Sequence, residues 1–228
     1  MLFDSYQFIL KRLNDHGYSA YFVGGCVRDF FLNKPLSDID IATSAPQKRV
    51  EQLFKDLDMD LSASFFGVVT LISPVKCQIT TFRSESDYYN HRYPRKITFV
   101  EDVSLDAYRR DFTVNALYLD KDMNLYDPFH GVDDLNKKIL RSIGDPSVRL
   151  NEDALRILRA IRFSVTLEFT MEPLLLKSCI ERSPTLIYLK EDTIELERSK
   201  LKSSNLNKNQ KEKLESYRNM IPSLSKYF

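Results

Sequence analysis

The chain has 228 residues, 43% of them hydrophobic, with 15 Phe and 12 Tyr, which excludes a disordered chain and allows one large or two small domains with real cores. Thirty-three basic against 32 acidic residues leave a formal net charge of +1, so bulk charge decides nothing about nucleic acid and only local clusters can. Cys26, Cys77 and Cys179 lack zinc-site spacing and are odd in number, no apolar run nears membrane-spanning length, and the start carries no signal pattern. A reduced, cytoplasmic protein without a membrane partner is expected.

In chain order, residues 6–13 carry helical spacing, with Gly17 as a stop. Residues 18–23 read as a strand feeding Gly24-Gly25. A helix over 27–32, a strand over 38–42 and a helix opened by Pro46 follow. Residues 67–72 and 77–82 read as strands of the same sheet, and 84–96, polar and aromatic without a period, as a loop. Residues 105–117 predict a helix and 124–126 a short strand. Past Gly144-Asp145-Pro146 the pattern turns helical: 151–165, with Leu155, Leu158, Ile161 and Val165 on one face, then 172–181, 191–202 and the Lys-rich 207–220. The expected fold is α+β, with a mixed-sheet domain over 1–145 and a helical segment over 146–228.

Gly24-Gly25-Cys26-Val27-Arg28-Asp29 followed by Asp38-Ile39-Asp40 carries the most chemistry. A glycine pair lets backbone approach a phosphate, the helix beginning there aims amides at an anion, and Arg28 adds a forked cation. On a strand, Asp38 and Asp40 share one face, and two close carboxylates repel unless a cation lies between them. Oxygen-only ligands favour a hard divalent ion such as Mg2+. Alone, Gly-Gly is a turn and Asp-x-Asp a solvated strand end. Together in one strand-turn-helix-strand unit they favour a nucleotidyl-transfer site.

Arg109-Arg110-Asp111, with Asn115 one turn later on the predicted helix, suits a triphosphate and a ribose, though a surface helix with local ion pairs reads the same way. In Glu152-Asp153-Ala154-Leu155-Arg156, Asp153 and Arg156 fall at i, i+3 on the predicted helix, with Arg159 and Arg162 beyond. Asp153 accepts from an exocyclic amine and Arg156 donates to a ring nitrogen. Cytosine and adenine offer that pattern on their pairing edges, whereas guanine and uracil offer the reverse. Three Arg at a spacing of three favour this reading over an ordinary salt-bridged helix. His16, His91 and His130 share no ligand spacing, and the Lys-rich end reads as a solvated helix that can touch a phosphate backbone.

The blocks GGCVRD…DID, TTFRSESDYYNHRYP, RRDFTVNAL, YDPFHGVDDLNKKILRSIGDP and EDALRILRAIRF, in this order over roughly residues 20–167, resemble the class II tRNA nucleotidyltransferases and bacterial poly(A) polymerases. The resemblance implies a DNA polymerase β-like nucleotidyltransferase head followed by a helical neck. It implies C and A addition from CTP and ATP to a tRNA 3′ end by a two-metal mechanism. Asp38 and Asp40 match the catalytic metal ligands. Gly24, Gly25, Arg28, Arg110, Asp111 and Asn115 match the nucleotide pocket. Asp153 and Arg156 match the protein template, with Arg159 and Arg162 beside it, and residues 87–92 match the element that switches C to A addition. Three features depart from the family: Gln78 stands where a Glu is frequent, a downstream Glu-Arg-Ile-like segment is blurred at 190–194, and the chain stops at Phe228 where relatives continue. A minimal enzyme, a fragment, or a second chain supplying tRNA binding are the alternatives for the last. Partial activity (CC-only, A-only or poly(A)) and a non-catalytic nucleotide- or RNA-binding subunit are the competing functions.

Overall fold

The structure is a computed structural model describing residues 3–36 and 38–228. The chain divides into two compact units, Met1–Glu85 with Ile97–Leu135, and Ser86–Lys96 with Asn136–Phe228.

The first unit opens with α1 (Gln7–Asp15), whose Ile9, Leu10 and Leu13 are fully buried, and β1 (Ala20–Val23). There follow α2 (Gly25–Phe31), β2 (Asp40–Thr43), α3 (Gln47–Leu53), β3 (Asp58–Asp60), β4 (Val68–Ser73) and β5 (Cys77–Thr81). The hairpin strands β6 (Arg83–Tyr89) and β7 (Tyr93–Phe99) come next, then α4 (Val103–Tyr108), β8 (Tyr118–Leu119), β9 (Leu125–Tyr126) and α5 (Gly131–Lys137). Among the described residues one sheet runs β3-β4-β5-β2-β1-β8-β9. It is mixed: β2 pairs antiparallel with β1 and parallel with β5. Phe22, Ile41, Val69, Leu71 and Ile79 are among its buried apolar side chains. The period-2 alternation of β4 and β5 (Val69, Leu71; Cys77, Ile79, Thr81 inward) is what sets their register.

The second unit holds the hairpin tip, β10 (Ile139–Leu140), α6 (Pro146–Glu152), α7 (Leu155–Thr166), β11 (Thr170–Met171), α8 (Pro173–Arg182), α9 (Glu191–Ser203) and α10 (Lys208–Met220). β10 and β11 pair in parallel. The centre is α7, which buries Ile157, Leu158, Ala160, Ile161 and Val165 against α8, α9 and α10. That burial exceeds one apolar stripe because the helix is covered on several sides. The fold is thus α+β, a mixed sheet with helices in the first unit and mainly helices in the second.

Several expectations need correction. Residues 84–96 are not a loop but most of the β6–β7 hairpin, whose turn uses left-handed Asn90 and His91. The predicted helix over 105–117 stops at Tyr108 and resumes only as one 3-10 turn at Thr113–Asn115, so Arg109, Arg110 and Asp111 lie between them. The predicted helix over 151–165 is broken at Asp153, which is extended at φ −138°, ψ 100°. β2 begins at Asp40, leaving Asp38 in a bend two residues before it.

Candidate active site

In the first unit, β1 delivers the chain to Gly24 at φ +79°, ψ −136°, a conformation that side chains other than glycine's strongly disfavour. Gly24 is the N-cap of α2, whose first amides have no partner within the helix. A Cβ added at Gly24 would sit 3.5 Å from Arg110 Nη1 and 3.6 Å from Asp40 Oδ2. The missing side chain therefore opens a gap with a guanidinium on one side and a carboxylate on the other. A Cβ on Gly25 would lie 3.6 Å from Arg28 Nη2.

Asp40 is held by its place at the start of β2, in register with Val23 of β1 and Gln78 of β5. Asp38 is exposed and Ile39 buried, and Gln78 N donates to the Ile39 carbonyl at 3.0 Å, so the alternation expected of a strand persists ahead of β2. The strand position beside Asp40 carries the neutral amide of Gln78 in place of a third carboxylate.

Each cation is fixed by an acid, Arg28 by Asp29 and both Arg109 and Arg110 by Asp106. Arg28 donates from Nε and Nη2 to the two Asp29 oxygens, both at 2.9 Å, and from Nη1 to Asn115 Oδ1 at 2.7 Å. Asn115 Nδ2 in turn donates to Asp111 Oδ1 at 3.0 Å. Arg110 donates from Nε to Tyr118 Oη at 2.8 Å and from Nη2 to Asp106 Oδ2 at 3.1 Å, while Tyr118 donates to the same oxygen at 2.8 Å. Arg109 Nε donates to the other Asp106 oxygen at 2.8 Å. Burial raises the Asp106 pKa, but Arg109 and Arg110 outweigh it and hold the carboxyl down at about 2. Burial likewise opposes the charge of Arg110, and Tyr118 and Asp106 more than compensate, keeping it firmly protonated. Asp29, Asp106 and Tyr118 were not singled out from sequence. Asp106 has a signal: it stands three and four residues before Arg109 and Arg110.

The donor set suits a hard divalent ion. Asp38 and Asp40 are oxygen ligands, and no cluster of three acidic, His or Cys groups occurs among the described residues. Two carboxylates leave the remaining coordination to phosphate oxygens and water, the usual arrangement for Mg2+. The nearby thiols are no competitors, since burial pushes Cys26 up to about 11 and Cys77 to about 12.

In the second unit, Asp153 joins α6 to α7. Its Oδ1 accepts from the Leu155 amide at 3.0 Å and its Oδ2 from Arg92 Nη1 at 2.7 Å. Burial raises its pKa more than Arg92 and Arg156 lower it. Arg156 Nη1 donates to the Arg149 carbonyl at 2.9 Å and to Glu152 at 3.2 Å, with its guanidinium 5.9 Å from the Tyr88 ring. Asp153 and Arg156 are thus neighbours across a helix start rather than on one helix face. Arg162 donates to Glu197 of α9 at 2.6 Å, and Arg159 approaches the same carboxylate at 3.8 Å. Since Glu197 is 1% exposed, Arg162 belongs to a buried pair between α7 and α9.

The model of the poly A polymerase head domain matches residues 20–141. The chain belongs to that family, the tRNA nucleotidyltransferases and bacterial poly(A) polymerases. It is 47% identical over 165 residues to the CCA-adding enzyme of Lactobacillus johnsonii, covering 72% of this chain and 41% of that protein. To the CCA-adding enzyme of Staphylococcus epidermidis it is 37% identical over 219 residues, 96% of this chain and 54% of that one. The chain thus spans about half the length of these relatives. The crystal structure of the Bacillus stearothermophilus CCA-adding enzyme in complex with CTP superimposes with a TM-score of 0.79 at 35% identity, over 88% of this chain and 48% of that one. A tRNA nucleotidyltransferase complexed with a primer tRNA and an incoming ATP analogue gives 0.74 at 26% identity, over 96% and 62%. No helix among the described residues is long and apolar enough to cross a membrane.

Proposed function

We propose that this chain is a cytoplasmic nucleotidyltransferase adding C and A, from CTP and ATP, to a tRNA 3′ end. The observation that carries the reading is the gap at Gly24, lined by Asp40 Oδ2 and Arg110 Nη1, at a helix start. It suits a triphosphate whose negative charge is shared between a cation and a carboxylate-bound metal ion.

In this reading Asp38 and Asp40 hold divalent ions, of which Mg2+ fits best. When bound, such ions lower the pKa of the attacking RNA 3′-hydroxyl and offset charge on the departing pyrophosphate. The chain's own groups do the rest. Arg28 and Arg110, pre-oriented by Asp29, Asp106 and Tyr118, bind the phosphates without reorganising as charge moves to the leaving group. Asp111 and Asn115 are the partners for ribose hydroxyls. Asp153 accepts from the exocyclic amine of C or A, and Arg156 donates to the ring nitrogen. G and U would leave these groups unpaired. Arg159 stands beside that pair, and the buried contact of Arg162 with Glu197 supports a bracing role. The head function is assigned to 1–145 and the neck to 146–228, in keeping with the match over 20–141.

Gln78 beside Asp40 favours one rival, a nucleotide-binding protein with weakened chemistry. The test is incubation with Mg2+ and each labelled NTP on tRNAs ending before CCA, after C and after CC, with Asp38→Ala/Asp40→Ala alongside. Incorporation of C, C, then A supports the proposal. Addition of A alone, of CC alone, or of unlimited A moves the assignment to a partial or poly(A) activity. No incorporation, with NTP binding retained, favours the rival.

A further inference from the structure

In the second unit α9 and α10 both pack on α7, and the groove between them, about 550 Å3, is not used by the chemistry above. Each helix faces it with a stripe at helical spacing that mixes leucine with cations: Arg198, Leu201 and Lys202 on α9, Lys211, Leu214 and Arg218 on α10. Leu201 and Leu214 form a nearly buried base. Leu206, in the turn between the helices, and Phe228 are half-buried and present apolar surface to the groove. Arg198 donates to the Tyr227 carbonyl at 3.0 Å and to that of Lys226 at 3.1 Å, which puts Phe228 beside Arg198. The two apolar ends are therefore roughly 10 Å apart along α9, close to two helical turns. The rim is cationic, and no Asp or Glu side chain among the described residues lines the groove. Arg198 and Arg218 are paired with Glu191 and Glu215 outside it, whereas Lys202 and Lys211 are exposed with no ionic partner among the described residues.

We propose that this groove takes an acidic amphipathic helix from a partner protein. Apolar anchors about two turns apart would rest on Leu206 and Phe228, and Asp or Glu along both flanks would meet Lys202 and Lys211. A phosphate backbone accounts for the cations but brings nothing to cover the apolar ends. A single small anion engages one side of the rim and leaves the other unmet. An apolar helix without acids would cover Lys202 and Lys211 and leave their charge uncompensated. The surface is independent of the nucleotide-transfer reading, so failure of that reaction leaves it standing.

The test is fluorescence anisotropy of the full chain with a labelled peptide of about 16 residues built from Glu, Leu and Ala, its Leu at i, i+3 and i+7 and its Glu beside them. A second peptide of the same composition has its Leu spread round the helix. The patterned peptide should bind about tenfold more tightly than the spread one. Leu206→Ser/Phe228→Ser should weaken it about tenfold at every salt concentration. Lys202→Glu/Lys211→Glu should weaken it about tenfold at low salt, with the loss shrinking as salt rises. Lys11→Glu/Lys55→Glu, the same change in net charge placed in the first unit, should leave binding within about twofold. Lys202→Gln/Lys211→Gln should lose less than the reversal, a grading by charge that a folding defect would not produce. No binding of the patterned peptide, equal binding of both peptides, or equal losses in the groove and control variants would each overturn the proposal. So would displacement of the peptide by hairpin RNA at equal charge, which would make the groove a phosphate site, or a self-association that the peptide dissolves, which would give it to a second copy of the chain.

Discussion

Gly24 and Asp106 are the residues on which the phosphate-facing geometry turns. At φ +79°, ψ −136°, Gly24→Ala should cost about 1–3 kcal/mol in urea unfolding, from backbone strain alone, since the new methyl meets only ordinary contacts at 3.5 and 3.6 Å. Asp106 acts through charge. Its carboxyl pKa is held at about 2, below the unfolded value near 4, so its contribution is complete above about pH 4 and disappears as pH falls toward 2. That contribution is about 2–3 kcal/mol. Asp106→Asn should therefore lower the urea midpoint at pH 7 and flatten the acid limb of the stability curve between pH 4 and 2. An acid limb identical to that of the parent protein would show that Asp106 is not the group responsible. Asp153 makes a prediction about selectivity. Asp153→Ala removes the acceptor for an exocyclic amine, so the preference for CTP over UTP in single-turnover addition should fall by about tenfold or more. A preserved preference would remove Asp153 from base reading.

At the scale of elements, what was legible followed from periodicity and what was not followed from local side-chain capture. β1, α2, β4, β5 and the helices from α8 to α10 are visible as alternation or 3.6-residue spacing bounded by Gly, Pro or Asn. The break before α7 is not. Leu155, Leu158 and Ile161 fit one helix through Asp153, but the Asp153 carboxylate takes the Leu155 amide and turns the backbone extended. The same competition operates after Tyr108, where the Asp111 carboxylate takes the Phe112 amide at 2.8 Å. In the hairpin, a polar two-sided pattern gives no alternation to read, and its turn depends on left-handed Asn90 and His91. Of the site, the motif residues could be read, while the clamps Asp29 and Tyr118 depend on tertiary proximity. The α7–α9 contact separates bracing from recognition. Arg162→Met removes the nearest partner of the buried Glu197 carboxylate, leaving it only Arg159 and Lys200 at 3.8 and 3.9 Å, and should cost about 1–3 kcal/mol in thermal or urea unfolding. C-over-U selectivity at a permissive temperature should stay within about twofold. A change in selectivity as large as that expected of Asp153→Ala would assign Arg162 to the template instead.

For the whole molecule, the decisive contrast is between what holds the fold and what drives the proposed chemistry. Each unit is closed by its own apolar side chains: Phe22, Ile41, Leu71 and Ile79 in the first, Leu158, Ile161, Val165 and Cys179 in the second, all fully buried. A metal held by two carboxylates, one of them exposed, adds little to such cores, since ligand stabilisation grows only as the logarithm of concentration over the dissociation constant. Phosphate charge, by contrast, has no other strong compensation on the Asp40 side of the gap, where the neighbouring strand offers only Gln78. Removing divalent ions with EDTA should therefore abolish nucleotide addition while shifting the melting temperature by no more than about 2 °C, a change of about 0.5–1 kcal/mol for a chain of this size. Restoring excess Mg2+ should recover the activity. Unfolding on chelation would make the metal a structural component, and activity that survives chelation would remove Asp38 and Asp40 from the role of metal ligands.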